Sequence, residues 1–255
     1  PYSRTAHDAV QRSLRTCFEI IDVCMTQQKK PSPFSGERKY IPALGYHWLT
    51  PFYDGVAALA GGGDDYLNAL IDCAAFARSD RILDVASGTG SLAIAIKQRF
   101  PTAQVDALDC DAAMLSRAAH KAGRQKMNVH FVRAYAQYLP YADACFDHVV
   151  SSLFFHHLDW NGKLHVAREM FRVLKPGGVL HVLDWGRAGN RMMRGLFYMV
   201  QLVDGFATTR DNVSGRLVAL FEQAGFSGVR QLQSFNTLFG TLALYGAGKS
   251  GAPSR

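Results

Sequence analysis

Five cysteines in 255 residues, odd in number and widely spaced, do not make a disulfide framework. Cys17, Cys24, Cys73, Cys110 and Cys145 form no Cys-x-x-Cys pair and no cysteine–histidine cluster with zinc spacing. They read as small core residues in a reducing compartment, and a cytoplasmic location is expected. The chain also lacks an apolar run long enough to span a bilayer and a secretory signal at its start, so no stable membrane insertion is expected. Its formal charge of +7 comes without a dense basic run; basic residues are scattered, with short pairs such as Lys29-Lys30. A positive field that aids solubility accounts for this charge, and no nucleic-acid partner is expected. No internal repeat is present, which argues against a solenoid.

What is there is ample apolar material. Hydrophobic residues make up 48% of the chain, enough for one large α/β domain with additions or two small domains. Val10, Leu14, Cys17, Ile21 and Cys24 have helical spacing, with Thr5 and Asp8 as a capping box at the start. An aromatic-rich stretch over 40–61 holds Tyr46, His47, Trp48 and Tyr53, and a helix from Asp64 or Asp65 to Phe76 follows. Residues 1–78 are expected to form an N-terminal helical cap.

From there strand and helix alternate. Strands are predicted over 81–85, 104–108, 129–132, 148–153 and 179–183, and helices over 91–99, 112–121 and 162–174. Such alternation predicts a doubly wound α/β sheet, covered by helices on both faces. Lys175-Pro176-Gly177-Gly178 reads as a sharp stop and turn. An apolar helical insert is expected over 190–210, then a helix over 214–223 closed by Gly225. Two final runs, 229–235 and 238–245, turn at Asn236-Thr237 and add an antiparallel C-terminal strand to a mostly parallel sheet. The core is bounded at 79–246, with 247–255 a loose tail.

The most informative stretch is Leu83-Asp84-Val85-Ala86-Ser87-Gly88-Thr89-Gly90. A buried strand ends in a carboxylate and a glycine turn, leaving room for a nucleotide-like ligand at the strand's carboxyl end. Gly88 and Gly90 permit close ligand approach. The third glycine of a dinucleotide fingerprint is absent, since Ser91, Leu92 and Ala93 follow. Asp109 comes 19 residues after Gly90, at the end of the second strand, where a carboxylate accepts hydrogen bonds from ribose hydroxyls.

Three further segments join this one: Val105-Asp106-Ala107-Leu108-Asp109-Cys110-Asp111 with Met114, Cys145-Phe146-Asp147-His148-Val149-Val150-Ser151-Ser152, and Arg168 through Gly178. In this order they resemble a class I S-adenosylmethionine-dependent methyltransferase of the quinone-biosynthesis and small-molecule subgroup, which has a Rossmann-like fold. A ligand without a pyrophosphate agrees with the missing third glycine.

The resemblance implies a cofactor site of Asp84, Ala86, Ser87, Gly88, Gly90, Asp109, Cys110, Met114, Tyr135, Ala136, Ser152 and Leu153, with Tyr53 as a lid residue. Asp84 would lie beneath the glycine loop and receive the cofactor's ammonium directly or through water; Asp111 would cap the next helix. Ala86 stands where the family usually has glycine, a tolerable change if its backbone angles stay ordinary. Tyr135 stands where an Asp often takes the adenine amino group, so its hydroxyl, its ring or the Ala136 amide would serve instead.

The implied reaction is transfer of a methyl group to a small, partly hydrophobic or aromatic acceptor. His156 and His157 are the candidate general bases if the acceptor must lose a proton. No carboxylate or cysteine is spaced with them for a metal, and none is expected. Met192, Met193, Leu196, Phe197, Tyr198 and Met199 would line an acceptor wall, although a core helix or a homodimer face would look the same. Arg191 and Arg194 would meet an acidic substituent or solvent. The competing readings are action on tRNA or protein, on a membrane-associated lipid or quinone, and a cofactor-binding partner without turnover.

Overall fold

The computed structural model describes residues 63–251. The helix expected over 5–27, the aromatic stretch and Tyr53 lie outside these residues. Seven strands form one sheet: β1 (Arg81–Val85), β2 (Gln104–Asp109), β3 (His130–Arg133), β4 (Phe146–Ser152), β5 (Leu174–Trp185), β6 (Ser227–Thr237) and β7 (Gly240–Gly248). Their order is β3-β2-β1-β4-β5-β7-β6. The first five strands pair in parallel, and β7 lies antiparallel between β5 and β6. Order reverses between β1 and β4, and such a switch point opens a crevice at the carboxyl ends of the strands.

The helices are α1 (Gly63–Ala74), α2 (Ser91–Arg99), α3 (Ala112–Arg124), α4 (Trp160–Val173), α5 (Arg191–Asp204), α6 (Phe206–Val213) and α7 (Leu217–Ala224). Side chains alternate across a strand, so successive residues of β1 serve different cores. Leu83 packs with Phe146, Met170 of α4 and Phe221 of α7. Ile82 packs on the other face with Leu70 of α1, Ile96 of α2 and Phe197 of α5. Burial on both faces is why the parallel strands read as continuous apolar runs.

Several local expectations change. The Lys175–Gly178 turn does not precede the fifth strand but is absorbed into it. Phe146 pairs with Leu174 and His148 with Val179, so three extra residues of β5 bulge out. Gly177 takes a φ of 82° there, and a Cβ on Gly178 would meet the Lys175 and Asp147 carbonyl oxygens at 2.9 and 3.0 Å. The insert is two helices, because Gly205 (φ 92°, ψ 142°) breaks it. The last hairpin turns at Leu238-Phe239, with Thr237 facing Gly240. Residues 247–249, expected in the loose tail, are held: Ala247 and Gly248 pair with β5, and Lys249 anchors the segment behind them. The Lys249 Nζ donates to the carbonyls of Phe171, Arg172 and Leu174 at 2.8, 3.3 and 2.7 Å, capping the end of α4.

Candidate functional site

β1 delivers Asp84 to the crevice and then turns sharply. Ala86 has a φ of 58°, in the left-handed region, so the condition of ordinary backbone angles is not met. The turn needs the conformation that glycine supplies freely, and alanine adopts it under strain. Hydrogen bonds hold it there: the Ser87 amide donates to Leu108 at 2.9 Å and the Gly90 amide to Ser87 at 2.8 Å. The two glycines do different work. A Cβ on Gly88 would meet nothing within 4 Å, whereas one on Gly90 would meet Ala118 Cβ at 3.0 Å and the Phe131 ring at 3.2 Å. Gly88 borders the open crevice; Gly90 lets the loop pack against α3 and β3.

Asp109 leaves β2 aimed at the same loop. One carboxylate oxygen accepts from the Gly88 amide at 2.8 Å and the other from the Asp111 amide at 2.9 Å. These bonds fix the carboxylate and leave a lone pair on each oxygen for a ribose hydroxyl. Burial raises the Asp109 pKa, and the two amides oppose that. Asp111 caps α3 as expected, accepting from the amides of Ala113 and Met114 at 2.8 and 3.4 Å.

Asp84 is fully buried, and neither of its oxygens makes a hydrogen bond of good geometry, although the Ala93 amide lies close enough to favour the charged form. Burial pushes its pKa up to about 8, opposed by the Ala93 amide and reinforced by Asp109. The Ser87 hydroxyl is buried and unpartnered too. A carboxylate and a hydroxyl left unmatched beside an open glycine are costly unless a polar ligand or water meets them. This chemistry fits a cofactor with an ammonium group and ribose hydroxyls.

The other expected contacts vary. Met114 is buried on α3. Cys110 is partly buried and its thiol is held neutral, with burial pushing the pKa to about 12. Ala136 is buried, and the Tyr135 side chain is 59% exposed and makes no hydrogen bond among the described residues. Ser151 donates to the Val85 carbonyl at 2.8 Å and joins β4 to the end of β1. Ser152 closes β4, and Leu153 follows with a φ of 54°, its amide donating to Leu183 at 2.8 Å.

His156 and His157 lie on a 3₁₀ turn (Phe155–His157), their ring centroids 4.0 Å apart. The His156 Nδ1 is 2.8 Å from Asp184, the buried carboxylate near the end of β5. Asp184 also accepts from the amides of Phe154, Phe155 and Trp185 and from the Asn212 side chain, at 2.7–3.0 Å. Burial opposes protonation of His156, but Asp184 and then Asp204 outweigh it and raise its pKa. For His157, burial and its cationic neighbour push the pKa down to about 3. Asp204, at the end of α5, brings the carboxylate that the sequence spacing did not show, 3.7 Å from the His156 Nε2. Asp184, Asn212 and Asp204 were missed from sequence. One signal existed for Asp184: like Asp84 and Asp109, it lies at or next to the carboxyl end of an apolar parallel strand.

The insert is less of a wall than expected. Met193 and Phe197 are buried, but Met192, Tyr198 and Met199 are exposed and face outward. Arg194 is engaged by Gln201 at 2.8 Å and lies over the Tyr198 ring, while Arg191 is exposed.

Comparison with known proteins agrees with this geometry. Residues 82–178 match the family described as a methyltransferase domain. The chain is 37% identical over 140 residues to a demethylmenaquinone methyltransferase of Thermus thermophilus, covering 54% of this chain and 62% of that one. It is 32% identical over 188 residues to a ubiquinone/menaquinone biosynthesis C-methyltransferase of Pseudomonas savastanoi, covering 68% and 71%. The chain thus spans about six-tenths of the first relative's length. A SAM-dependent methyltransferase structure from Methanosarcina mazei superposes with a TM-score of 0.56 at 19% identity, over 69% of this chain and 95% of that one, which supports the fold. The chain belongs to the class I S-adenosylmethionine-dependent methyltransferases, in the subgroup that contains the quinone-biosynthesis C-methyltransferases.

Proposed function

We propose that this chain transfers a methyl group from S-adenosylmethionine to a small aromatic acceptor of quinol type. The observation that carries the reading is the crevice where Asp109 is pinned by two amides, with unpartnered Asp84 beneath it and open Gly88 beside it. Bound there, S-adenosylmethionine supplies an electrophilic methyl whose displacement leaves a neutral thioether, so positioning and exclusion of water are the main demands on the protein. Asp109 would take the ribose hydroxyls, Asp84 the ammonium end, and the Ser152-Leu153 backbone would border the methionine portion. The acceptor side is the mouth between the His156–His157 turn and the α5–α6 insert. Its hydroxyl would be held and activated beside that histidine pair. The menaquinone and ubiquinone pathways named for the relatives support a hydroxylated aromatic ring. Among the described residues no helix is long and apolar enough to cross a membrane.

Asp109→Ala removes two acceptors for ribose and frees the loop. Charge-assisted hydrogen bonds contribute roughly 1.5–3 kcal/mol each, so calorimetric affinity for S-adenosylhomocysteine is expected to fall at least about a hundredfold. Unchanged affinity would reject the ribose role. A screen of quinol, phenol, amine and thiol acceptors with labelled cofactor is expected to show transfer to the quinol. Transfer to bulk RNA alone would overturn the small-molecule reading.

A further inference from the structure

The His156 Nδ1 contacts a carboxylate that four other donors already orient. With Nδ1 donating to Asp184, the Nε2 faces away from it and offers its lone pair once an ion displaces its proton. A buried carboxylate fixing one imidazole nitrogen while the other stays free is the arrangement that prepares a histidine to bind a metal. Two further ligand groups face the free nitrogen. The Asp204 carboxylate makes no hydrogen bond among the described residues and lies 3.7 Å from Nε2, too far for one to His156. The His157 ring likewise makes no hydrogen bond among the described residues, and its centroid lies 4.0 Å from that of His156.

One donor atom from each of His156, His157 and Asp204 lies within 4.8 Å of the other two. Ligands at about 2.0–2.2 Å from one ion stand roughly 3–4 Å apart, so modest side-chain rotation completes the set. Asp204 is the last residue of α5, beside the Gly205 break, where such adjustment is easy. An ion pair between His156 and Asp204 would leave His157 without a role. Lys163, the nearest cationic side chain of α4, is engaged by the Thr208 carbonyl at 2.6 Å and by Asp211 at 3.6 Å.

We propose that His156, His157 and Asp204 bind one divalent first-row transition-metal ion, with Asp184 holding the His156 tautomer, and that an open position on the ion takes a hydroxyl oxygen of the acceptor. Two imidazoles and one carboxylate suit Zn²⁺ or Fe²⁺ and leave coordination sites open. There the ion acts as a Lewis acid: it accepts the oxygen's lone pair and the hydroxyl proton passes to water, leaving an electron-rich ring. This second half rests on the methyl-transfer reading; the ion site itself does not.

The test uses the full chain, stripped with a chelator and titrated with Zn²⁺ without cofactor. One Zn²⁺ per chain at micromolar affinity or tighter is expected. His157→Ala and Asp204→Ala are expected to weaken it at least tenfold while keeping the wild-type circular dichroism spectrum. No binding by the wild type, or equal binding by both folded variants, overturns the site. Should a variant fail to fold, Co²⁺ added to the wild type decides: visible bands distinct from those of aqueous Co²⁺ support it, and the aqueous spectrum overturns it. Addition of a catechol is expected to shift the Co²⁺ bands; bands that do not move reject the acceptor half. A chain that binds Zn²⁺ but transfers no methyl group contradicts the proposed function and leaves the ion site standing.

Discussion

Ala86 is a single residue asked to do a glycine's work. Its φ of 58° costs roughly 1–2 kcal/mol for an alanine, and glycine would return about 0.5–1 kcal/mol of that as extra unfolded-state freedom. Ala86→Gly is therefore expected to stabilise the protein by about 0.5–1 kcal/mol, measured as a shift in the denaturation midpoint at constant slope. A destabilised variant would mean that the Cβ packs usefully despite the angle. Sequence alone showed that Ala86 stood in a glycine position but not which angle it took, because the backbone is dictated by the Ser87 and Gly90 hydrogen bonds around it. The same limit hid Asp204. Its partner histidines precede it by 47 and 48 residues, and only the folding of the insert over the 3₁₀ turn brings them together.

The helix Arg191–Asp204 shows how far element-level reading goes. Its apolar residues are correctly helical, but they fall on two faces and composition does not say which face is inside. Phe197 is 2% exposed, with its ring 5.3 Å from Trp185 and pressed against Gly240. Met199, two residues on, is 61% exposed. Phe197→Ala is expected to cost about 3–5 kcal/mol, and Met199→Ala to stay within about 0.5 kcal/mol. Equal losses in chemical denaturation would show that the outer face is covered in solution. Regular elements from β1 through α4 were legible because the central strands read as continuous apolar runs buried on both faces and the helices carry apolar residues at helical spacing. The Gly178 bulge was not, since Lys-Pro-Gly-Gly has the composition of a turn, and a strand carries it only because β4 lies alongside.

For the molecule as a whole, Asp84 sets a tension between stability and binding. Its pKa is raised from 3.8 to about 8 by burial. An acid whose folded pKa lies above its unfolded one favours folding most below the unfolded value, and that contribution is lost as pH rises through the folded value. The cofactor-free protein should thus lose stability between about pH 4 and pH 8 through this group. Asp84→Asn is expected to remove that part of the slope and to melt higher than the wild type at pH 8, by about 1–3 kcal/mol. It should also bind S-adenosylhomocysteine more weakly. Parallel stability curves for the two proteins across this range would sink the assignment. The fold class itself was readable in the order of strands and helices; this opposition was not, because it depends on which carboxylates the packing leaves without partners.

The position of β7 bears on how the chain comes off the ribosome. Its residues are made after the two strands it ends up joining, β5 and β6. Until Gly240–Gly248 emerges, the apolar Val179–Trp185 stretch is a bare sheet edge, able to pair with the same stretch of another nascent chain. A polysome crowded with such chains would need a holding chaperone to mask that edge until the final hairpin is complete.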